Sequence, residues 1–147
     1  MMLRALKRMV FVSVLLCGAC FLPIVHAQDQ TSSFEFALYL LRSGEYEAAR
    51  VELHRYLYFS PSGQRTQEAR FRIGQCHFFL RQWDKALEAF DDCAVQSTDI
   101  EWVDDALFWS ARTSFRRLEY EIATDKAVAF LDAFPDSPYV DDSRAMI

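Results

Sequence analysis

Between Gln67 and Phe90 the apolar residues keep helical spacing twice, with a break between the two runs. Ala69, Ile73, Cys76, His77 and Leu80 fall at i, i+4, i+7, i+8 and i+11, one stripe of a helix. After Arg81-Gln82, the residues Trp83, Ala86, Leu87 and Phe90 repeat the spacing on a second helix. Neither stripe carries enough apolar area to hold a helix alone, so the two must lie together and need neighbours.

The neighbours are copies of the same unit at a period of 37 residues. Gly44-Glu45-Tyr46-Glu47-Ala48-Ala49 aligns with Arg81-Gln82-Trp83-Asp84-Lys85-Ala86 and with Leu118-Glu119-Tyr120-Glu121-Ile122-Ala123. Phe34, Phe71 and Phe108 coincide, as do Ala37, Gly74 and Ala111, then Tyr56, Cys93 and Phe130, then Pro61, Thr98 and Pro135. A fixed period with two helices per unit predicts a solenoid. Helices are expected from Thr31 or Ser32 to Gly44, Tyr46 to Phe59, Thr66 to Leu80, Asp84 to Val95, Trp102 to Arg117 and Tyr120 to Phe134. The breaks between them fall at Ser60-Pro61-Ser62-Gly63, Ser97-Thr98-Asp99 and Pro135-Asp136-Ser137-Pro138. Tyr139-Val140-Asp141-Asp142 then opens a further helix that stops at Ile147, leaving the last apolar face without a capping helix.

These residues resemble the tetratricopeptide (TPR) repeat. The second unit supplies Ile73-Gly74, Trp83, Ala86 and Phe90 of that motif; the first supplies Phe36-Ala37, Gly44, Tyr46, Ala49, Leu53 and Pro61. In the third, Ser110 and Ala127 stand where larger residues are usual. The resemblance implies an all-α, right-handed solenoid of antiparallel helix pairs. Its units are expected at about 30–63, 67–100 and 104–137, with a partial fourth at 141–147. Small residues are expected to let paired helices approach closely, with Gly74 opposite Ala86 and Ala37 opposite Ala49. The long period and the Phe-Pro-Asp-Ser-Pro-Tyr linker at 134–139 are similar to those of bacterial periplasmic TPR proteins. Among these are the TPR lipoprotein of the outer-membrane β-barrel assembly machine and the TPR protein of the Tol–Pal system.

The first 27 residues stand apart. Arg4, Lys7 and Arg8 precede an apolar run from Met9 to Leu22, and Val25-His26-Ala27 offers a cleavage site before Gln28. This is the pattern of a secretory signal, and the run falls short of the ~20 apolar residues of a membrane span. The mature domain is then 28–147, exported, with the periplasm as its expected compartment. A rival reading makes Cys20, after Cys17-Gly18-Ala19, the lipidated residue of a membrane-held lipoprotein. A third leaves the segment uncleaved as an anchor.

Loss of the leader removes three of the 16 basic residues and none of the 21 acidic ones, taking the net charge from −5 to −8. An acidic exported chain is a poor match for nucleic acid. Cys76 and Cys93 remain, and two readings stand for them: a disulfide in an oxidising compartment, or small apolar residues filling buried slots. No CxxC spacing supports a metal site with His77. His77 is expected as a hydrogen-bonded histidine between helices, and His54 as a solvated one. Asp104-Asp105 and Asp141-Asp142 are expected at helix starts, where the dipole favours negative charge. No nucleophile sits on a defined turn, so no enzymatic activity and no cofactor are expected.

The resemblance also implies a groove lined by first-helix residues, the surface on which a protein or peptide partner would bind. These are Phe34, Leu38 and Leu41; Phe71, Gln75, Phe78 and Phe79; and Phe108, Arg112, Phe115 and Arg116. Phe71, Phe78 and Phe115 are expected to be partly exposed, and Arg112 and Arg116 to offer a cationic end to a carboxylate. Large apolar residues on such a helix serve equally well as inter-repeat core. The expected function is a non-enzymatic scaffold of the cell envelope. The alternatives are self-association through the C-terminal end, or one repeat domain of a larger envelope protein.

Overall fold

The computed structural model describes residues 32–147 except Thr98. The expected leader at 1–27, Cys20 and the expected cap Thr31 lie outside the described residues. Among the described residues seven helices follow one another without strands: α1 at residues 32–42, α2 Tyr46–Phe59, α3 Thr66–Phe79, α4 Trp83–Gln96, α5 Ile100–Arg116, α6 Tyr120–Ala133 and α7 Val140–Arg144. Consecutive helices pack against each other, α2 on α3, α3 on α4, α4 on α5 and α5 on α6, as in a TPR-like solenoid. None of the described helices is long and apolar enough to cross a membrane.

Each helix pair turns at a residue in the left-handed region: Gly44 at φ 81°, Arg81 at 58° and Leu118 at 68°. The surrounding hydrogen bonds repeat as well. Glu45 N–H donates to Leu40 O at 2.9 Å, Gln82 N–H to His77 O at 2.9 Å, and Glu119 N–H to Ser114 O at 3.1 Å. The left-handed residue itself donates to the carbonyl three back: Gly44 to Leu41, Arg81 to Phe78, Leu118 to Phe115. This pair of bonds is the Schellman closure that satisfies a helix's last carbonyls. Only the first unit supplies the glycine that the conformation favours.

The core divides in two. Phe34, Ala37, Ala49, Leu53, Tyr56, Ala69, Ile73 and Cys76 pack around α1, α2 and one side of α3. Phe71, Phe78, Phe90, Phe108, Trp109 and Phe130 belong to the second cluster, on the other side of α3 and beyond. Helix α3 is therefore covered on both sides, and its continuous run Ile73–Phe78 is buried throughout. A Cβ at Gly74 would lie 2.6 Å from Cε1 of Phe90, so the small residue makes room for that ring.

A second periodicity, 31 residues long, ties each unit to the next. The Arg65 guanidinium lies over the Phe34 ring at 4.0 Å, Trp102 packs on Phe71 at 5.5 Å, and Tyr139 stacks on Phe108 at 4.2 Å. A flat group at the entrance of one unit thus closes over the Phe of the preceding one. Asp104 and Asp105 serve the same junction and are not caps. Helix α5 starts four residues before Asp104, and Asp99 is its cap, accepting from Glu101 N–H at 3.1 Å. Asp104 accepts from the Ser137 hydroxyl at 2.9 Å. Asp105 accepts from Tyr139, whose oxygen also takes a hydrogen bond from Trp109. Burial raises the Asp105 carboxyl above its usual value, and burial with the Asp105 bond pushes Tyr139 up to about 12. Asp141 and Asp142 do lie in the first turn of α7.

Candidate partner-binding cleft

The expected Phe column is core. Phe34, Phe71, Phe78 and Phe108 are 0%, 1%, 6% and 2% exposed, which overturns the expected exposure of Phe71 and Phe78. The cause is the following unit. The 31-residue contacts cover the first position of the column, and Trp109 covers Phe78 edge-on at 5.1 Å. Leu38 and Leu41 are half-buried against the first cluster. Gln75 is buried, its Oε1 accepting from Arg72 at 2.9 Å. Phe115 alone of the column is exposed, beside Tyr120 at 5.3 Å.

A cleft of about 430 Å³ lies where the end of α3, the α3–α4 turn and α5 meet, beside part of this column. Phe78, Phe79, Arg81, Trp83, Arg112 and Arg116 line it. Helical spacing puts Arg112 and Arg116 on one face of α5, about 6 Å apart along the axis. The Arg112 guanidinium lies over Trp109 at 4.9 Å and over Phe78 at 5.5 Å, so the rings hold its plane in position. The left-handed turn carries Arg81 to the rim.

The repeat register explains why the cleft is open here. One unit earlier Tyr46 stacks on Phe79 at 4.6 Å and fills the matching space. The same step pairs Trp83 with Arg116, and an arginine cannot close the gap as a ring does. Of the expected partner-binding residues, the cleft brings together Phe78, Phe79, Arg112 and Arg116. Arg81 and Trp83 were missed. Trp83 occupies the aromatic position of the repeat, which reads as core, and Arg81 stands in a turn position whose first copy is Gly44. The one signal was that glycine-for-arginine exchange in the alignment of units.

Cys76 and Cys93 are free, fully buried thiols, so the slot-filling reading describes them and the disulfide does not. Burial pushes Cys76 up to about 12 and Cys93 up to about 11, far from the reactive thiolate. His77 is buried with Nδ1 2.8 Å from Gln82 Oε1, and burial lowers its pKa. His54 is exposed, as expected, and its pKa too is lowered, chiefly by partial burial of the ring. Ser110 donates to Asp91 at 2.6 Å and is bonded by Lys126, but at 1% exposure its hydroxyl cannot meet a substrate. The trio instead ties α4, α5 and α6 together. Among the described residues no group of three or more His, Cys, Asp or Glu gathers in a metal-holding arrangement.

Residues 68–96, which run from early α3 to the end of α4, match the family model of the tetratricopeptide repeat. That stretch is similar to a TPR repeat. The match covers the unit in which Gly74, Trp83, Ala86 and Phe90 occur together, and that unit supplies two sides of the cleft. TPR units are protein-interaction modules without catalytic chemistry of their own. No curated protein matches the sequence.

Proposed function

We propose that this protein is an exported, non-enzymatic TPR scaffold that binds a segment of another protein in the α3–α4–α5 cleft. The observation that carries the reading is the cleft itself, in which the half-exposed rings of Phe79 and Trp83 meet three arginines that pair with no carboxylate among the described residues. Phe79 is 42% exposed there, and aromatic and Arg residues are the types enriched where proteins bind. The leader-like residues 1–27 support export, and the resemblance to periplasmic TPR proteins supports work in the cell envelope.

A photo-crosslinking residue at position 79 tests the binding, with position 95 as control. Val95 is 84% exposed at the end of α4 and does not line the cleft. A partner cross-linked from 79 and not from 95 is the expected result. Equal yields from both positions would remove the cleft from the proposal, and a cross-link to a second copy would move the reading to self-association. Mass spectrometry of the exported product is expected to show a chain beginning at Gln28; diacylglycerol on Cys20 would make it a membrane-held lipoprotein.

A further inference from the structure

We infer that the cleft takes an acidic linear segment carrying an aromatic side chain between carboxylates, an inference that rests on the cleft being the partner site. Charge is the first argument. The chain is acidic, with a net charge of −5, yet Arg81, Arg112 and Arg116 meet no carboxylate among the described residues. The contrast with their neighbour is local. Arg117, one residue on, is neutralised by Asp84 at 2.8 Å and Glu119 at 3.0 Å. Arg50, Arg65 and Arg72 on other faces each meet a glutamate as well. The cleft therefore gathers guanidinium groups that the fold itself leaves uncompensated.

Geometry is the second argument. Arg112 and Arg116 are one helical turn apart on α5, whereas Arg81 comes from the α3–α4 turn on the other wall. One carboxylate can meet the two adjacent guanidiniums of α5 but cannot serve both walls. A linear chain with acidic side chains on both sides of a central residue can. Phe79 and Trp83 line the same cleft as partly exposed rings that offer offset or edge contacts to an aromatic side chain. The cleft volume, about 430 Å³, lies within the range of specific ligand sites, roughly 300–1,000 Å³. Arg112 is already held flat by Trp109 and Phe78, which leaves its donors directed without further loss of freedom.

The test uses the mature chain and four synthetic peptides, each acetylated and amidated unless stated. The first carries a Glu-Glu-Phe-Glu-Glu core; the second replaces each Glu by Gln; the third replaces Phe by Ala. The fourth is the Gln peptide with a free C-terminal carboxylate. Tryptophan fluorescence follows binding, since Trp83 lines the site. The acidic peptide is expected to bind at least tenfold more tightly than the Gln and Ala peptides, and to weaken as salt rises. Arg81→Gln and Arg116→Gln, both at exposed positions, are expected to weaken it at least tenfold, whereas Arg55→Gln on α2 leaves it unchanged. Each variant is first checked by thermal melting. Equal binding of acidic and Gln peptides, or binding only of the free C-terminal carboxylate, overturns the inference. So does an acidic peptide that ignores the Arg81 and Arg116 changes. If these fail while a partner still cross-links from position 79, the scaffold reading stands and the acidic partner class falls. If position 79 captures nothing and no peptide binds, both fall.

Discussion

Gly74→Ala gives the sharpest test of how the repeat is packed. In an exposed helix this change would stabilise by about 1 kcal/mol, since glycine is the poorer helix former. Here the new methyl carbon would sit 2.6 Å and 2.8 Å from two carbons of the Phe90 ring and 3.1 Å from a third. Something must move, and the ring has little freedom to do so. Phe90 is fully buried, with Phe71 at 5.6 Å and Trp109 at 5.8 Å between ring centroids. Overpacking in a closed core costs about 1–3 kcal/mol. Against the propensity gain, the expected net is a destabilisation of about 1–2 kcal/mol at the top of that range. For a domain of this size that lowers Tm by roughly 4–8 °C. Urea unfolding followed by tryptophan fluorescence measures it, with an unchanged m-value showing that only stability moved. Phe90→Leu in the Gly74→Ala background is the companion variant. Removing ring atoms should relieve the clash, so the two changes should couple by at least about 0.5 kcal/mol. A Gly74→Ala protein as stable as the parent, or additive behaviour of the pair, would refute the claim that glycine exists there for the ring.

Three further outcomes follow from the same structure. Phe78→Ala should cost about 3–5 kcal/mol in urea unfolding, the range for a buried ring lost to a cavity; a loss below 1 kcal/mol would return Phe78 to an exposed groove. Leu118→Gly should raise stability by about 0.5–1 kcal/mol, because a left-handed Leu costs about 1–2 kcal/mol and the glycine's extra unfolded-state freedom offsets part of that; Leu118 is 69% exposed and loses little packing, and a fall in midpoint would count against the strain. Asp105 is a carboxyl whose folded pKa is raised by burial, so the folded state holds its proton more tightly and the residue's contribution to stability falls as pH rises from the unfolded value, about 3.9, through the raised folded one. Asp105→Asn keeps an acceptor for Tyr139 and removes the titration; its stability relative to the parent should therefore rise across that acidic window, and a difference independent of pH would exclude the effect.

Much of this fold is written in short-range chemistry. The 37-residue period, the placing of α1 to α6 within two residues of their observed ends, and the turn at Gly44 all follow from local spacing and breakers, which act within a few residues. Helix α2 was legible to the residue because Gly44 stops the chain on one side and Ser60-Pro61 on the other. The disposition of side chains between units was not legible in the same way. Periodicity shows that Phe71 and Phe78 share a face of α3, but a helix inside a solenoid has covered faces on both sides. Only the position of Trp102 and Trp109 decides that this one is buried. The aspartates at 104 and 105 looked like caps because acidic pairs favour helix starts; their partners, Ser137 and Tyr139, lie more than 30 residues away and become visible only when the units stack. The cleft depends on the same step. It opens because Arg116 occupies the register position that Phe79 fills one unit earlier, and whether that exchange leaves a gap is decided by the contact between neighbouring helices, which a single chain's pattern does not contain.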